Sequence, residues 1–122
     1  MKLFNKSKET FLAYELKVAD NFFSRFMGLM GKKELSHGAG LLISPCNSIH
    51  MFFMRIPLDI VFIDKNNTVI SIIIGIKPWR VSSFVKNAVS TIELPVGTIA
   101  ASHTSIGDVL ALFDTDFLDD KV

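Results

Sequence analysis

From residue 10 to 18 the chain alternates, with Leu12, Tyr14, Leu16 and Val18 on one face and Ala13, Glu15 and Lys17 on the other. That period of two predicts a half-buried strand. At Asp20 the period changes. Phe22, Phe23, Phe26, Met27 and Met30 recur at three and four, which predicts a helix over 21–30 with Asp20 as N-cap and Gly31 at its C′ end. Gly28 inside that helix costs about 1 kcal/mol relative to Ala, so a close approach to another backbone is expected there.

Beyond the helix the pattern returns to strands. Gly38-Ala-Gly40 opens a short one, Leu41 to Ser44, ended by Pro45. Residues 49–56 and 58–63 read as one long strand bent at Pro57, which a central ladder position would not tolerate. Asp64-Lys-Asn-Asn67 is turn chemistry and makes 58–63 and 69–76 a hairpin. The second arm, Val69 to Ile76, is nearly all β-branched and is expected to be covered on both faces. A loop from Lys77 to Lys86 carries Trp79 and Arg80 at its start. Val89, Thr91 and Glu93 then alternate against Ser90, Ile92 and Leu94 as a further strand. Pro95-Val-Gly-Thr leads into a short helical turn near 98–103, and Ile106-Gly-Asp108 turns into a last strand, Val109 to Phe113.

These elements predict a mainly β fold, α+β at the margin. It would be a small, largely antiparallel β-barrel or curled sheet of about six strands, flanked or plugged by the 21–30 helix. The absence of βαβ alternation excludes a doubly wound sheet. At 122 residues the chain is one domain, with a core over about 11–113 and frayed ends at 1–9 and 114–122. The tail contains four aspartates, and three lysines cluster at the start.

An apolar content of 49% with 20% charge is that of a globular protein. The formal net charge of +1 gives no global field for nucleic acid, which is therefore not expected as a partner. The single cysteine excludes an internal disulfide and fits a reducing compartment. Phe11 to Tyr14, the longest early apolar run, is too short for a signal peptide, and charges interrupt every candidate for a membrane span of ~18 residues. A cytoplasmic, soluble domain is the expectation.

Six ordered blocks resemble one family. They are Arg25-Phe-Met-Gly-Leu-Met-Gly-Lys, Cys46-x3-His50-Met-Phe-Phe-Met-Arg, Pro57-Leu-Asp-Ile-Val-Phe-Ile-Asp64, Lys77-Pro-Trp-Arg80, Glu93-Leu-Pro-Val-Gly97 and Gly107-Asp108. Together, over about Leu12 to Leu110, they resemble the uncharacterised bacterial and archaeal family DUF192. The resemblance implies a compact mainly β domain with no assigned activity. Ser102-His-Thr-Ser105 departs from the family's usual approach to the Gly-Asp turn.

The candidate chemistry gathers at 45–64. Cys46, His50 and Met54 are ligand types for a soft metal. In an extended strand, however, four residues span ~13 Å, and ligands must meet within ~2–2.4 Å of one ion. A turn at Pro45-Cys-Asn-Ser48 could bring Cys46 to His50, but two ligands do not hold a metal, and no cofactor is expected. As a nucleophile, Cys46 would need His50 as base and an acid behind it; against this stands the plain alternative of a small buried thiol. Asp59 shares a strand face with Val61 and Ile63 and needs a partner if covered, from Arg55, Arg80 or a backbone N–H. The phosphate-loop, Cys-x2-Cys, His-Glu-x2-His and Gly-x-Ser-x-Gly patterns are absent.

What remains is an excess of aromatic and sulfur side chains around a few polar ones. The expected function is a non-enzymatic binding domain for a protein segment or small apolar ligand, using His50, Phe52, Met54, Arg55, Trp79 and Arg80. The alternative is a small enzyme or soft-metal protein using Cys46 and His50, with Asp59 as a further catalytic candidate.

Overall fold

Eight strands and one short helix lie among the residues that the computed structural model describes, 1–21 and 29–114. The strands are β1 (Lys2–Asn5), β2 (Thr10–Ala13), β3 (Glu15–Ala19), β4 (Ala39–Ile43), β5 (Leu58–Ile63), β6 (Val69–Ile76), β7 (Ser90–Pro95) and β8 (Leu110–Phe113). Helix α1, Thr98–Ser102, follows β7. The helix expected over 21–30, with Arg25 and Gly28, falls outside the described residues at 22–28, as does the tail at 115–122.

Two sheets form, ordered β2-β1-β8 and β3-β4-β7-β5-β6. All pairings are antiparallel except β3 with β4. The mainly β, largely antiparallel class is as expected. The barrel is not closed: β3 and β6 end the larger sheet instead of pairing. Among the described residues no helix is long and apolar enough to cross a membrane.

Local departures from the expected elements have identifiable causes. The strand expected over 10–18 breaks at Tyr14, because the amides of Tyr14 and Glu15 both donate to the Gly38 carbonyl, at 2.7 and 2.9 Å. Its two halves therefore join different sheets. No strand was expected at the start of the chain, yet β1 pairs with both β2 and β8 and buries Leu3 and Asn5 completely. The hairpin of β5 and β6 is as expected. Asp64 Oδ1 accepts from the amides of Asn66 and Thr68 at its turn. By contrast β6 is not covered on both faces. It is an edge strand, and its Ile74 is 63% exposed.

The larger sheet carries an apolar cluster on each face. Ile92 and Leu94 of β7 join Leu3, Leu12, Leu16, Val61 and Leu110 on the side of the smaller sheet. On the other side Leu41, Ile43, Leu58, Ile60 and Phe62 pack with Ile49, Met51 and Met54 from the connection before β5. Burying one such side chain stabilises by about 1.5–3 kcal/mol. Gly40 permits the closest approach, since a Cβ there would lie 2.9 Å from Leu94 Cδ2 and 3.0 Å from Leu16 Cδ1.

The smaller sheet is tied to α1 by a polar corner. Asn5 Nδ2 donates to Thr104 Oγ1 and to Asp108 Oδ2 at 3.1 and 2.9 Å, and the Lys8 ammonium donates to Asp108 and Ser105. Burial alone would raise the Asp108 carboxyl, but hydrogen bonds from Asn5, Lys8 and the Ser105 amide, with the Lys8 charge, outweigh it and lower it to about 2.

Candidate functional site

Residues 45–57 form no strand of either sheet. They run beside the loop after β6, and the two loops are laced by backbone bonds. The amides of Trp79, Ser82 and Val85 donate to the carbonyls of Met51, Ile49 and Asn47, and the Met51 amide donates back to Arg80. His50 and Val81 make an isolated antiparallel bridge. The expected strand over 49–56 is thus corrected to a laced loop. Its apolar residues divide by depth instead of alternating in a sheet: Ile49, Met51 and Met54 are buried, whereas Phe52 and Phe53 are 44% and 61% exposed. A turn from Met51 to Met54, closed by a 3.2 Å bond, puts the two phenylalanines at its tip.

Three aromatic rings meet there. Phe53 and Phe52 lie 5.0 and 6.2 Å from Trp79, centroid to centroid, and His50 stacks on Phe52 at 5.2 Å. Trp79 is 59% exposed. Phe53 and Trp79 both have left-handed backbones, with φ of 62° and 68°. Bulky residues rarely adopt that conformation, which costs roughly 1–2 kcal/mol apiece. Exposed aromatic rings on strained backbone add little to a core, so burial does not account for them.

Of the residues expected to line a binding site, His50, Phe52, Trp79 and Arg80 lie together on these loops. Arg55 is exposed just beyond the turn, whereas Met54 points inward into the core. Phe53 was missed. Its identity as the second half of a Phe-Phe pair beside a Met-rich run was the available signal.

The catalytic candidates have other partners. The Cys46 thiol donates to the Ser48 carbonyl at 2.9 Å, its carbonyl accepts from Thr91 Oγ1, and it shares no hydrogen bond with His50. Among the described residues no three His, Cys, Asp or Glu side chains converge as metal ligands. Asp59 is fully buried, and its partners are backbone amides: Gly75 donates to Oδ1 at 3.0 Å, and Gly97 and Ile99 donate to Oδ2 at 3.1 Å. It joins β5 to the bend in β6 and to the start of α1. Neither Arg55 nor Arg80 contributes to that set.

Glu93, central in β7, was also missed as a special residue. Its cross-strand neighbours are Leu41 and Ile60, so it projects into the apolar cluster beneath the laced loops. It is 4% exposed, and its Oε1 accepts no hydrogen bond. Burial pushes its carboxyl up to about 7. The sequence signal was an acid placed between Ile92 and Leu94 in a strand. A cavity of about 430 Å³ opens elsewhere, beside β3 and β4, lined by Lys17, Leu29, Lys32, Leu35 and Leu41 among others.

Comparison with known proteins places the chain. The DUF192 family model, described as "Uncharacterized ACR", matches residues 3–112. A UPF0127 protein of Thermococcus sibiricus is 37% identical over 87% of this chain and 71% of its own length. One from Pyrococcus furiosus is 32% identical over 88% and 95%. Two crystal structures share the fold. A protein of unknown function from Novosphingobium aromaticivorans has a TM-score of 0.79 at 20% identity, covering 91% of this chain and 82% of its own. A putative transcription regulator from Sinorhizobium meliloti has 0.72 at 22% identity, covering 90% and 89%. The chain belongs to the DUF192 family.

Proposed function

We propose that this DUF192 domain is a non-enzymatic binding module whose aromatic shelf, Phe52, Phe53 and Trp79 with His50 and Arg80 beside it, takes up a segment of another protein. The observation that carries the reading is the pair of exposed aromatic residues, Phe53 and Trp79, in contact at 5.0 Å and both held at positive φ. Strained backbone persists where the surroundings over-determine it, and here it presents rings to solvent. Trp is also among the residues enriched in interface hot spots. The open face favours a segment over a small molecule, because small-ligand sites bury 70–90% or more of their ligand. We read the domain as cytoplasmic, on the strength of its single free thiol.

Affinity capture with wild type and Trp79→Ala, read by mass spectrometry, tests the module. A partner retained by wild type and lost from the variant is expected. Identical profiles would remove the shelf from the function, and an apolar metabolite displaced by Trp79→Ala would replace the segment by a small ligand. The Cys46–His50 enzyme reading has less support, since the thiol hydrogen is directed at Ser48. Cysteine labelling across pH separates it: a thiol titrating near the free value of about 8.5 leaves no activated nucleophile.

A further inference from the structure

We propose that the segment docked on the aromatic shelf is acidic, an inference that rests on the shelf reading and adds the chemistry of its partner. Three stretches surround the rings. The laced loops 47–57 and 77–86 hold Arg55, Lys77, Arg80 and Lys86, all exposed, and no acid. The Gly31 amide donates to the Phe53 carbonyl at 3.0 Å, and from there the chain continues into Lys32 and Lys33, which also line the cavity beside β3 and β4 with Glu15 and Glu34. Lys32 and Lys33 are exposed as well, and Glu34 is the one acid in the three stretches. Among the described residues these three stretches hold six lysines and arginines and one acid, in a protein whose net charge is only +1. The asymmetry is local to the shelf.

None of these six cations forms an ion pair with another described residue. The salt bridge among the described residues is Lys8–Asp108, at the polar corner. Cations on the loops that carry exposed aromatic rings complement a partner with apolar anchors between carboxylates, and the same charges reject like-charged partners. Single-stranded nucleic acid is the rival, because it also uses aromatic platforms and cations. The ring geometry favours the peptide. Phe53 and Phe52 are inclined at 59° and 42° to Trp79, so the three rings do not offer parallel faces to successive bases.

The test uses the full chain, labelled with 15N, and three synthetic peptides that share a Phe-Leu core flanked by aspartates, serines or lysines. The aspartate peptide is expected to bind roughly tenfold tighter than the serine peptide, since several exposed pairs each contribute a factor of about two or more. That advantage should shrink between about 0.02 and 0.2 M salt as screening sets in. The double variant Lys77→Gln, Arg80→Gln should bring the aspartate peptide down to the affinity of the serine peptide. Equal affinity for the aspartate and serine peptides, with shifts confined to the Phe52, Phe53 and Trp79 amides, would overturn the charge inference and leave the shelf standing. Failure of all three peptides to shift those amides would overturn both. Tighter binding of a short oligothymidylate at the same amides would replace the acidic segment by nucleic acid.

Discussion

Two buried carboxylates on adjacent strands of one sheet have opposite surroundings. Asp59 on β5 accepts three backbone amides, and Glu93 on β7 lies among apolar side chains with Oε1 unpartnered. Asp59 joins elements, and so does Asp108 at the polar corner. Glu93 Oε1 has no hydrogen-bond partner among the described residues, and burial opposes ionisation of the group. The pairing is instructive because both are acids buried on neighbouring strands. What separates a structural acid from an unresolved one is the number of donors aimed at it. The laced loops over Glu93 carry the second departure from stability, the strained aromatic pair. The side holding Asp59's partners is built for stability, and the other retains features that stability does not explain.

The largest effect that would sharpen this contrast is expected at Asp59. Replacing it by Ala leaves the amides of Gly75, Gly97 and Ile99 without their acceptor. At about 1–3 kcal/mol for each buried donor left unsatisfied, and with relaxation or water recovering part, a loss of roughly 3–5 kcal/mol is expected. Urea denaturation reads it as a fall in midpoint. A loss below about 1 kcal/mol would show that Asp59 does not hold β6 and α1 together.

Glu93→Gln should act in the opposite direction and only above acidic pH. The folded-state value of about 7 lies above the ordinary 4.5, so the native protein holds a proton that the unfolded chain has released. Wild-type stability then falls as pH rises from about 4.5 through 7 and levels off above it. A rise from 4.5 to about 7 corresponds to roughly 3 kcal/mol. Glutamine matches the neutral acid in shape, so the variant should equal wild type near pH 4.5 and exceed it by up to that amount at pH 8. Parallel stability–pH curves for the two proteins would mean that Glu93 is solvated or partnered in solution, and the contrast with Asp59 would disappear.

How far the sequence revealed these regions follows from what each depends on. The hairpin of β5 and β6 was readable because Asp64 and the asparagines after it carry their own turn chemistry. A backbone N–H was among the partners foreseen for Asp59, but choosing it over two arginines required knowing that Gly75 and Gly97 arrive from 16 and 38 residues away. The segment 49–56 misled because an apolar run was read as an extended strand. Phe52 and Phe53 are exposed, and the lacing to residues 79–85 cannot be inferred from periodicity. Of the exposed rings, Phe52 and Trp79 were named beforehand and Phe53 was not, and Met54, named with them, is buried.

The smallest effect on stability belongs to the shelf, and it is the most discriminating for function. At Phe53 and Trp79 the left-handed backbone strains any residue with a Cβ, and glycine removes that strain. Glycine also loosens the unfolded chain, which costs about 0.5–1 kcal/mol, and it gives up the contact between the two rings. These contributions oppose one another, so Phe53→Gly and Trp79→Gly should each change stability by no more than about 1 kcal/mol in thermal denaturation. Partner capture should nevertheless be lost, because the rings themselves are the surface. A core residue cannot behave this way: removing a buried Phe costs about 3–5 kcal/mol, and any loss of binding would follow from unfolding. If either glycine variant is destabilised to that extent, Phe53 and Trp79 are lid residues sealing the cluster above Glu93. If both variants keep their stability and still capture the wild-type partner, the strained pair has no role in binding, and the difference between the two sides of the sheet reduces to Glu93 alone.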